Sequence, residues 1–202
     1  MKNMPPGFVI WLTGLPASGK SSLAQAIKEE LDNEDIHTII LDANDLRQLL
    51  TPDPQYTDYE RQWLYRAITG LATMLACNGD NVIIAGTANR RIYRETARRQ
   101  NQRFAEVYVR CPLEICQERD EKGQFLEHDE EGADSVPGIG VAYERPFAPE
   151  VIVETTTQSP REAALSVITL LKLEKIIGEP GHGESSKWEP QTNTSEQPSP
   201  VV

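Results

Sequence analysis

The chain has little cysteine, a deficit of basic charge and no long apolar run, and each shortage closes off a class of protein. Three cysteines in 202 residues, Cys77, Cys111 and Cys116, cannot all pair with one another. Their spacing fits no zinc-ligand pattern, so they read as small core residues or inert thiols. Against 31 Asp and Glu stand only 20 Lys and Arg, a formal net charge of −11. A nucleic-acid partner would need a basic face, and this balance argues against one. It does not argue against a phosphate-bearing small molecule, which a backbone loop can hold with its own local field. No apolar stretch approaches the ~20 residues needed to cross a bilayer. The first residues, Met1-Lys2-Asn3-Met4-Pro5-Pro6-Gly7, run into a short apolar strand without the h-region of a secretory signal. The expectation is a cytoplasmic protein without membrane contact.

What is present is the composition of an ordinary soluble domain, 39% hydrophobic and 25% charged. Phe8-Val9-Ile10-Trp11-Leu12-Thr13 is a continuous apolar run of strand length, as expected for a parallel strand buried on both faces. Leu23, Ala24, Ile27 and Leu31 then recur at helical spacing over residues 20–32. His37-Thr38-Ile39-Ile40-Leu41 reads as a second buried strand delivering Asp42 at its end. Thr57-Asp58-Tyr59-Glu60 is a capping box opening a long helix that Asn78-Gly79 stops. Further strands are expected at 82–85, 104–109 and 151–153, and a basic helix at 90–100. Pro112 suits the first turn of a helix ending near Arg119, and Ser159-Pro160-Arg161-Glu162 caps the last helix. The alternation predicts an α/β three-layer sandwich, a parallel five-stranded sheet between helices. Residues 120–149, poor in apolar side chains, read as a lid within a domain spanning 1–177. Residues 178–202, rich in Gly, Pro, Ser, Thr, Glu and Gln, read as a disordered tail.

One motif carries chemistry. Gly14-Leu15-Pro16-Ala17-Ser18-Gly19-Lys20-Ser21 fits the phosphate-loop pattern in full, and it lies between a buried strand and a helix. Its glycines let successive N–H groups converge on phosphates, with the helix dipole behind them. Such a loop implies ATP and Mg²⁺. Lys20 reaches the β- and γ-phosphates, the Ser21 hydroxyl ligates the metal, and Ser22 completes the nucleotide-binding set. Asp42, at the mouth of the crevice where open parallel sheets bind ligands, is a candidate for Mg²⁺ or for the proton of an attacking hydroxyl. The alternative for Asp42 is a helix N-cap or turn residue, and Asn44 or Asp45 could equally cap the helix that follows. Arg90, Arg91, Arg94, Arg98 and Arg99 share one helix. Most read as a basic face paired with acids; Arg90 or Arg91, nearest the end of the third strand, are the candidate ligands, and Arg90 joins the substrate-binding set.

Beyond the loop, the sequence resembles the adenylyl-sulfate (APS) kinase family over roughly residues 8–175. Ile10-Trp11-Leu12-Thr13-Gly14-Leu15 looks like the family's approach to the phosphate loop, and Leu41-Asp42-Ala43-Asn44-Asp45-Leu46-Arg47 falls where it has LDGDNVR. Glu60-Arg61 and Arg66 fall in its arginine-rich helix. Cys111-Pro112-Leu113-Glu114-Ile115-Cys116 and Arg119-Asp120-x-Lys122-Gly123 are similar to TPLEVCxxRDxKG, and Gly138-Ile139 with Tyr143-Glu144-x-Pro146 to GIDSPYExP. The resemblance implies γ-phosphoryl transfer from ATP to the 3′-hydroxyl of adenylyl sulfate, a step of sulfate assimilation, by a homodimer. By position it puts Arg47 and Arg66 on the acceptor's anionic groups, Tyr56 near the acceptor's adenine and Arg119 near the donor nucleotide.

The chain departs from that pattern on the acceptor side. Asn44 replaces the second carboxylate of DGDN, and Thr87 offers a hydroxyl near the family's SPFR serine. Asp134, Val136 and Gly140 replace a lysine, a phenylalanine and an aspartate of the lid region. Two other readings therefore stand beside the first: a kinase for a different small hydroxyl-bearing substrate, and a non-catalytic nucleotide-binding module. Retention of Lys20, Ser21 and Asp42 favours an enzyme.

Overall fold

All five residues of the first strand, β1 (Val9–Thr13), are buried, because both of its faces are covered. Ile10 and Leu12 point into one apolar cluster and Val9 and Trp11 into another, the period-2 consequence of a strand between two helical layers. The computed structural model describes residues 5–51, 54–120 and 136–178. The expected lid core and the expected tail lie, at 121–135 and 179–202, outside the described residues.

The elements follow in alternation: α1 (Lys20–Asp32), β2 (Thr38–Asp42), α2 (Ala43–Leu50), α3 (Asp58–Cys77), β3 (Asn81–Ala85), α4 (Arg91–Gln100), β4 (Phe104–Arg110), α5 (Leu113–Glu118), β5 (Val151–Glu154) and α6 (Pro160–Leu173). The sheet is parallel, in the order β2-β3-β1-β4-β5. Leu23, Ile27 and Leu31 of α1 and Val167, Ile168 and Leu171 of α6 close one face. Leu64, Tyr65 and Ile68 of α3 and Tyr93 of α4 close the other. From β1 the chain goes out to the edge strand β2, returns through β3, and then crosses to β4 and β5 on the other side. The crevice beyond the C-terminal end of β1 therefore lies where the strand order reverses.

Three local expectations are corrected. β2 is an edge strand, not a buried one: Ile39 is 38% exposed, because only β3 flanks it, and a short apolar run cannot report its neighbour count. Pro112 is the N-cap of α5 rather than a first-turn residue. At α3 the Thr57 side chain accepts from Glu60 N as a cap should, but the Glu60 carboxylate reaches past the cap to the N–H groups of Gln55 and Tyr56, at 2.6 and 3.0 Å. The capping box at Ser159 and Glu162 forms in full, with Pro160 opening α6. Cys111 and Cys116 are buried and all three cysteines are free, in keeping with inert thiols, and burial pushes the Cys116 thiol up to about 12.

Candidate active site

The phosphate loop turns directly off β1. Gly14 is required by proximity: a Cβ there would stand 2.4 Å from the Val109 carbonyl oxygen and 2.8 Å from Ser18 Oγ. Ala17 at φ 54° and Gly19 at φ 98° lie in the left-handed region, curling the backbone into a concavity that ends on the first turn of α1. Lys20 Nζ donates to the Leu15 carbonyl at 2.6 Å and to Ser18 Oγ at 3.5 Å, so the ammonium lies along the loop it serves. Burial lowers its pKa to about 8, and the Asp42 carboxylate pulls the other way.

Ser21 and Asp42 come from different elements and meet here. Ser21 Oγ donates to Asp42 Oδ2 at 2.6 Å, and Asp42 Oδ1 accepts from Asn44 N at 2.8 Å as the N-cap of α2. The N-cap reading of Asp42 therefore holds through Oδ1, while Oδ2 faces the Ser21 hydroxyl. The donor set, a hydroxyl and a carboxylate beside a phosphate loop, suits a hard divalent cation such as Mg²⁺.

A cleft of about 970 Å³ opens around Lys20 and Ser21, and it has two arms. On the β4–β5 side, Arg119, Thr155 and Gln158 line it. Arg119 is held by hydrogen bonds of 3.3 and 3.0 Å to the Thr155 hydroxyl and carbonyl. On the β2–β3 side, Asn44, Arg47, Tyr56, Arg61 and Thr87 line it. Arg47 pairs with Glu60 at 2.5 Å and lies 4.8 Å over the Tyr56 ring. Arg61 is buried, donates through Nε to the Tyr56 carbonyl at 3.1 Å, and lies 5.9 Å from the same ring. Burial lowers the Arg61 pKa, and neighbouring Arg47 presses the same way. Glu60 answers the Arg47 charge, and Arg61 adds a second, buried guanidinium beside the same ring.

The sequence-derived candidates separate accordingly. Lys20, Ser21, Ser22, Arg47, Tyr56, Thr87 and Arg119 line the cleft, and Asp42 joins it through Ser21. Arg66 is exposed on α3 and Arg90 exposed at the start of α4, and neither is among the cleft-lining residues. The rest of the arginine helix is largely structural. Arg94 is 1% exposed and pairs with Glu106 at 2.5 Å, and Arg98 pairs with Glu150 at 2.5 Å. Arg61 lines the cleft although the resemblance, which covers it, gave it no site role. Its signal was helical phase, since it shares the buried face of α3 with Leu64 and Ile68, whereas Arg66 does not.

The loop after β3, residues 86–88, is held by four side chains. Trp11 Nε1 donates to the Gly86 carbonyl at 3.2 Å, Thr13 Oγ1 to the Thr87 carbonyl at 2.7 Å, and the Ala88 N–H to the Tyr65 hydroxyl at 2.8 Å. The Ala88 carbonyl accepts from Arg94. Thr87 is thereby set in the cleft across from the phosphate loop.

A phosphate loop after the first strand of a parallel sheet, with a lysine, a hydroxyl-carboxylate pair and a two-armed cleft, defines a P-loop nucleotide-dependent phosphotransferase. The family can be given more narrowly. The adenylylsulphate kinase family model matches residues 6–154, and the chain belongs to that family. It is 35% identical over 178 residues to the adenylyl-sulfate kinase of Burkholderia ambifaria, covering 86% of this chain and 97% of that protein. It is 35% identical over 148 residues to the probable adenylyl-sulfate kinase of Archaeoglobus fulgidus, 73% of this chain and 96% of that one. Among solved structures it is similar to the APS kinase of Mycobacterium tuberculosis in complex with AMPPNP and APS, with a TM-score of 0.77 and 31% identity over 83% of this chain and 99% of that one. Among the described residues no helix is long and apolar enough to cross a membrane.

Proposed function

We propose that this protein transfers the γ-phosphoryl group of ATP to the 3′-hydroxyl of adenylyl sulfate, releasing ADP and 3′-phosphoadenylyl sulfate. The observation that carries the reading is the two-armed cleft around Lys20 in a chain of this family. The arm with Arg119 and Thr155 takes the donor nucleotide, and the arm with Arg47, Tyr56 and Arg61 takes the acceptor. Tyr56 offers an aromatic face to a base, and the paired cations offer charge to the phosphosulfate. Ser21 and Asp42 would hold Mg²⁺, which spreads the charge of the transferring phosphoryl group. Lys20 draws the same charge from the loop side, and Asp42 is the candidate to take the hydroxyl proton. Little covalent work falls to the protein, because phosphoryl transfer depends chiefly on positioning and electrostatics.

Coupled measurement of ADP release tests this directly. Adenylyl sulfate should stimulate turnover at saturating ATP–Mg²⁺ over a panel of other alcohols and nucleosides, and no stimulation by it would overturn the reading.

Nucleotide affinity should also depend on pH through Lys20. Its pKa of about 8 rises when phosphates enter the loop, so binding above pH 8 takes up a proton. Affinity should be flat below about pH 7.5 and weaken by about tenfold per pH unit above about pH 8.5, until the pKa of the complex is passed. Titration of a non-hydrolysable ATP analogue across that range measures it.

A further inference from the structure

Thr13 is the last residue of β1, fully buried, with the phosphate loop starting at the next position. Its hydroxyl has one proton, and that proton is committed. The Thr87 carbonyl 2.7 Å away can only accept, so Thr13 donates to it. The Tyr143 hydroxyl lies 3.0 Å from the same Thr13 oxygen, and since the Thr13 proton is used, Tyr143 must be the donor there. The three groups form a chain of fixed direction, Tyr143 to Thr13 to Thr87.

Tyr143 is itself well anchored. Its ring stacks on Tyr108 with centroids 6.3 Å apart, and Arg94 lies 5.8 Å from the ring centre. Its neighbours are tied to the start of α4: Glu144 N donates to the Asn89 carbonyl at 2.7 Å, and the Glu144 carboxylate accepts from Arg91 N at 2.8 Å. Burial raises the Tyr143 pKa above its ordinary value, so the hydroxyl keeps its proton.

We propose that Tyr143 is a positioning residue for phosphoryl transfer: by donating to Thr13 it orients the Thr13 hydroxyl onto the Thr87 carbonyl and sets the 86–88 loop at its distance from the phosphate loop. The chain ties the root of the phosphate loop to the cleft wall at Thr87, and Tyr143 is not among the residues that line the cleft. Misplacement of reacting groups by a fraction of an ångström is costly in a reaction driven by alignment. The proposal rests on the reading that the acceptor occupies the arm lined by Thr87.

The test uses the full chain and the variants Tyr143→Phe, Thr13→Val and Thr13→Ser. Tyr143→Phe keeps the ring and its stacking and removes only the donor. Its kcat/KM for adenylyl sulfate should fall about five- to tenfold, with affinity for a non-hydrolysable ATP analogue unchanged within about twofold. Thr13→Val should fall at least as far, and Thr13→Ser, which keeps the hydroxyl, should restore turnover. Because the residues act in one chain, the Tyr143→Phe/Thr13→Val double variant should be no worse than Thr13→Val alone. Additive losses, or wild-type kinetics in Tyr143→Phe, would overturn the proposal. Amide hydrogen exchange at Gly86 and Ala88 gives a second readout independent of turnover; Tyr143→Phe and Thr13→Val should lose protection there, and Thr13→Ser should keep it. If the wild-type chain does not respond to adenylyl sulfate, the functional reading fails, while unchanged exchange in the variants rejects the positioning role separately.

Discussion

Lys20→Ala is expected to abolish turnover, lowering kcat by at least about 10³-fold while the chain remains folded. The lysine is the one cation delivered by the loop itself, at the start of α1, where the phosphoryl group must pass. Removal of a single preorganised donor from a charge-developing site costs ~10²–10³ in rate, and this donor carries a full charge. The substitution should not threaten folding. Lys20 has a pKa of about 8, lowered from 10.5, so the folded chain releases this proton more readily than the unfolded chain does. Its charge therefore weakens the fold below about pH 8, and that penalty fades as pH rises toward 10.5. Alanine removes the penalty, and thermal denaturation at pH 7 should show a Tm no lower than wild type. Substantial turnover in a folded Lys20→Ala chain would refute the phosphate-loop assignment.

Arg61→Ala should raise the KM for adenylyl sulfate roughly 10- to 100-fold, the loss of one charge-assisted contact to an anion. Arg66→Ala should leave it within about twofold. Both arginines belong to α3, yet Arg61 is buried at the cleft beside Tyr56 and Arg66 is exposed on the other side of the helix. Affinity for an ATP analogue serves as the control, because neither residue approaches the donor arm, and it should be unchanged in both variants. The opposite order of effects would return the acceptor site to Arg66 and reject the cleft as described.

Much of this was legible before any coordinates. The five strands follow from short apolar runs bounded by turn residues, and the phosphate loop follows from a spacing that only a tight backbone curl can use. Asp42 ends β2 and Ser21 lies in the first turn of α1, just past the loop after β1, and parallel strands bring those C-terminal ends to one edge, where the two side chains meet. Other features were not legible for definite reasons. Strand periodicity reports which face a residue takes, not how many strands flank it, so β2 read as buried although it is the sheet's edge. A run of arginines looks like one basic face, but Arg94 and Arg98 find Glu106 and Glu150 only because β4 and the approach to β5 pack against α4. Glu60 read as half of a capping box, but its carboxylate reaches past the cap and pairs with Arg47, because α2 and α3 fold toward each other.

By itself, then, the sequence determined the donor chemistry: residues 14–22 form a contiguous strand–loop–helix unit whose function depends on local backbone geometry. How the β2–β3 side of the cleft is assembled was decided only by tertiary structure. Arg47, Tyr56, Arg61 and Thr87 are drawn from α2, the turn before α3, α3 itself and the loop after β3, and no local rule relates them. The sheet order brings them to one side of the phosphate loop, and buried hydrogen bonds from Trp11, Thr13 and Tyr65 then hold Thr87 in place.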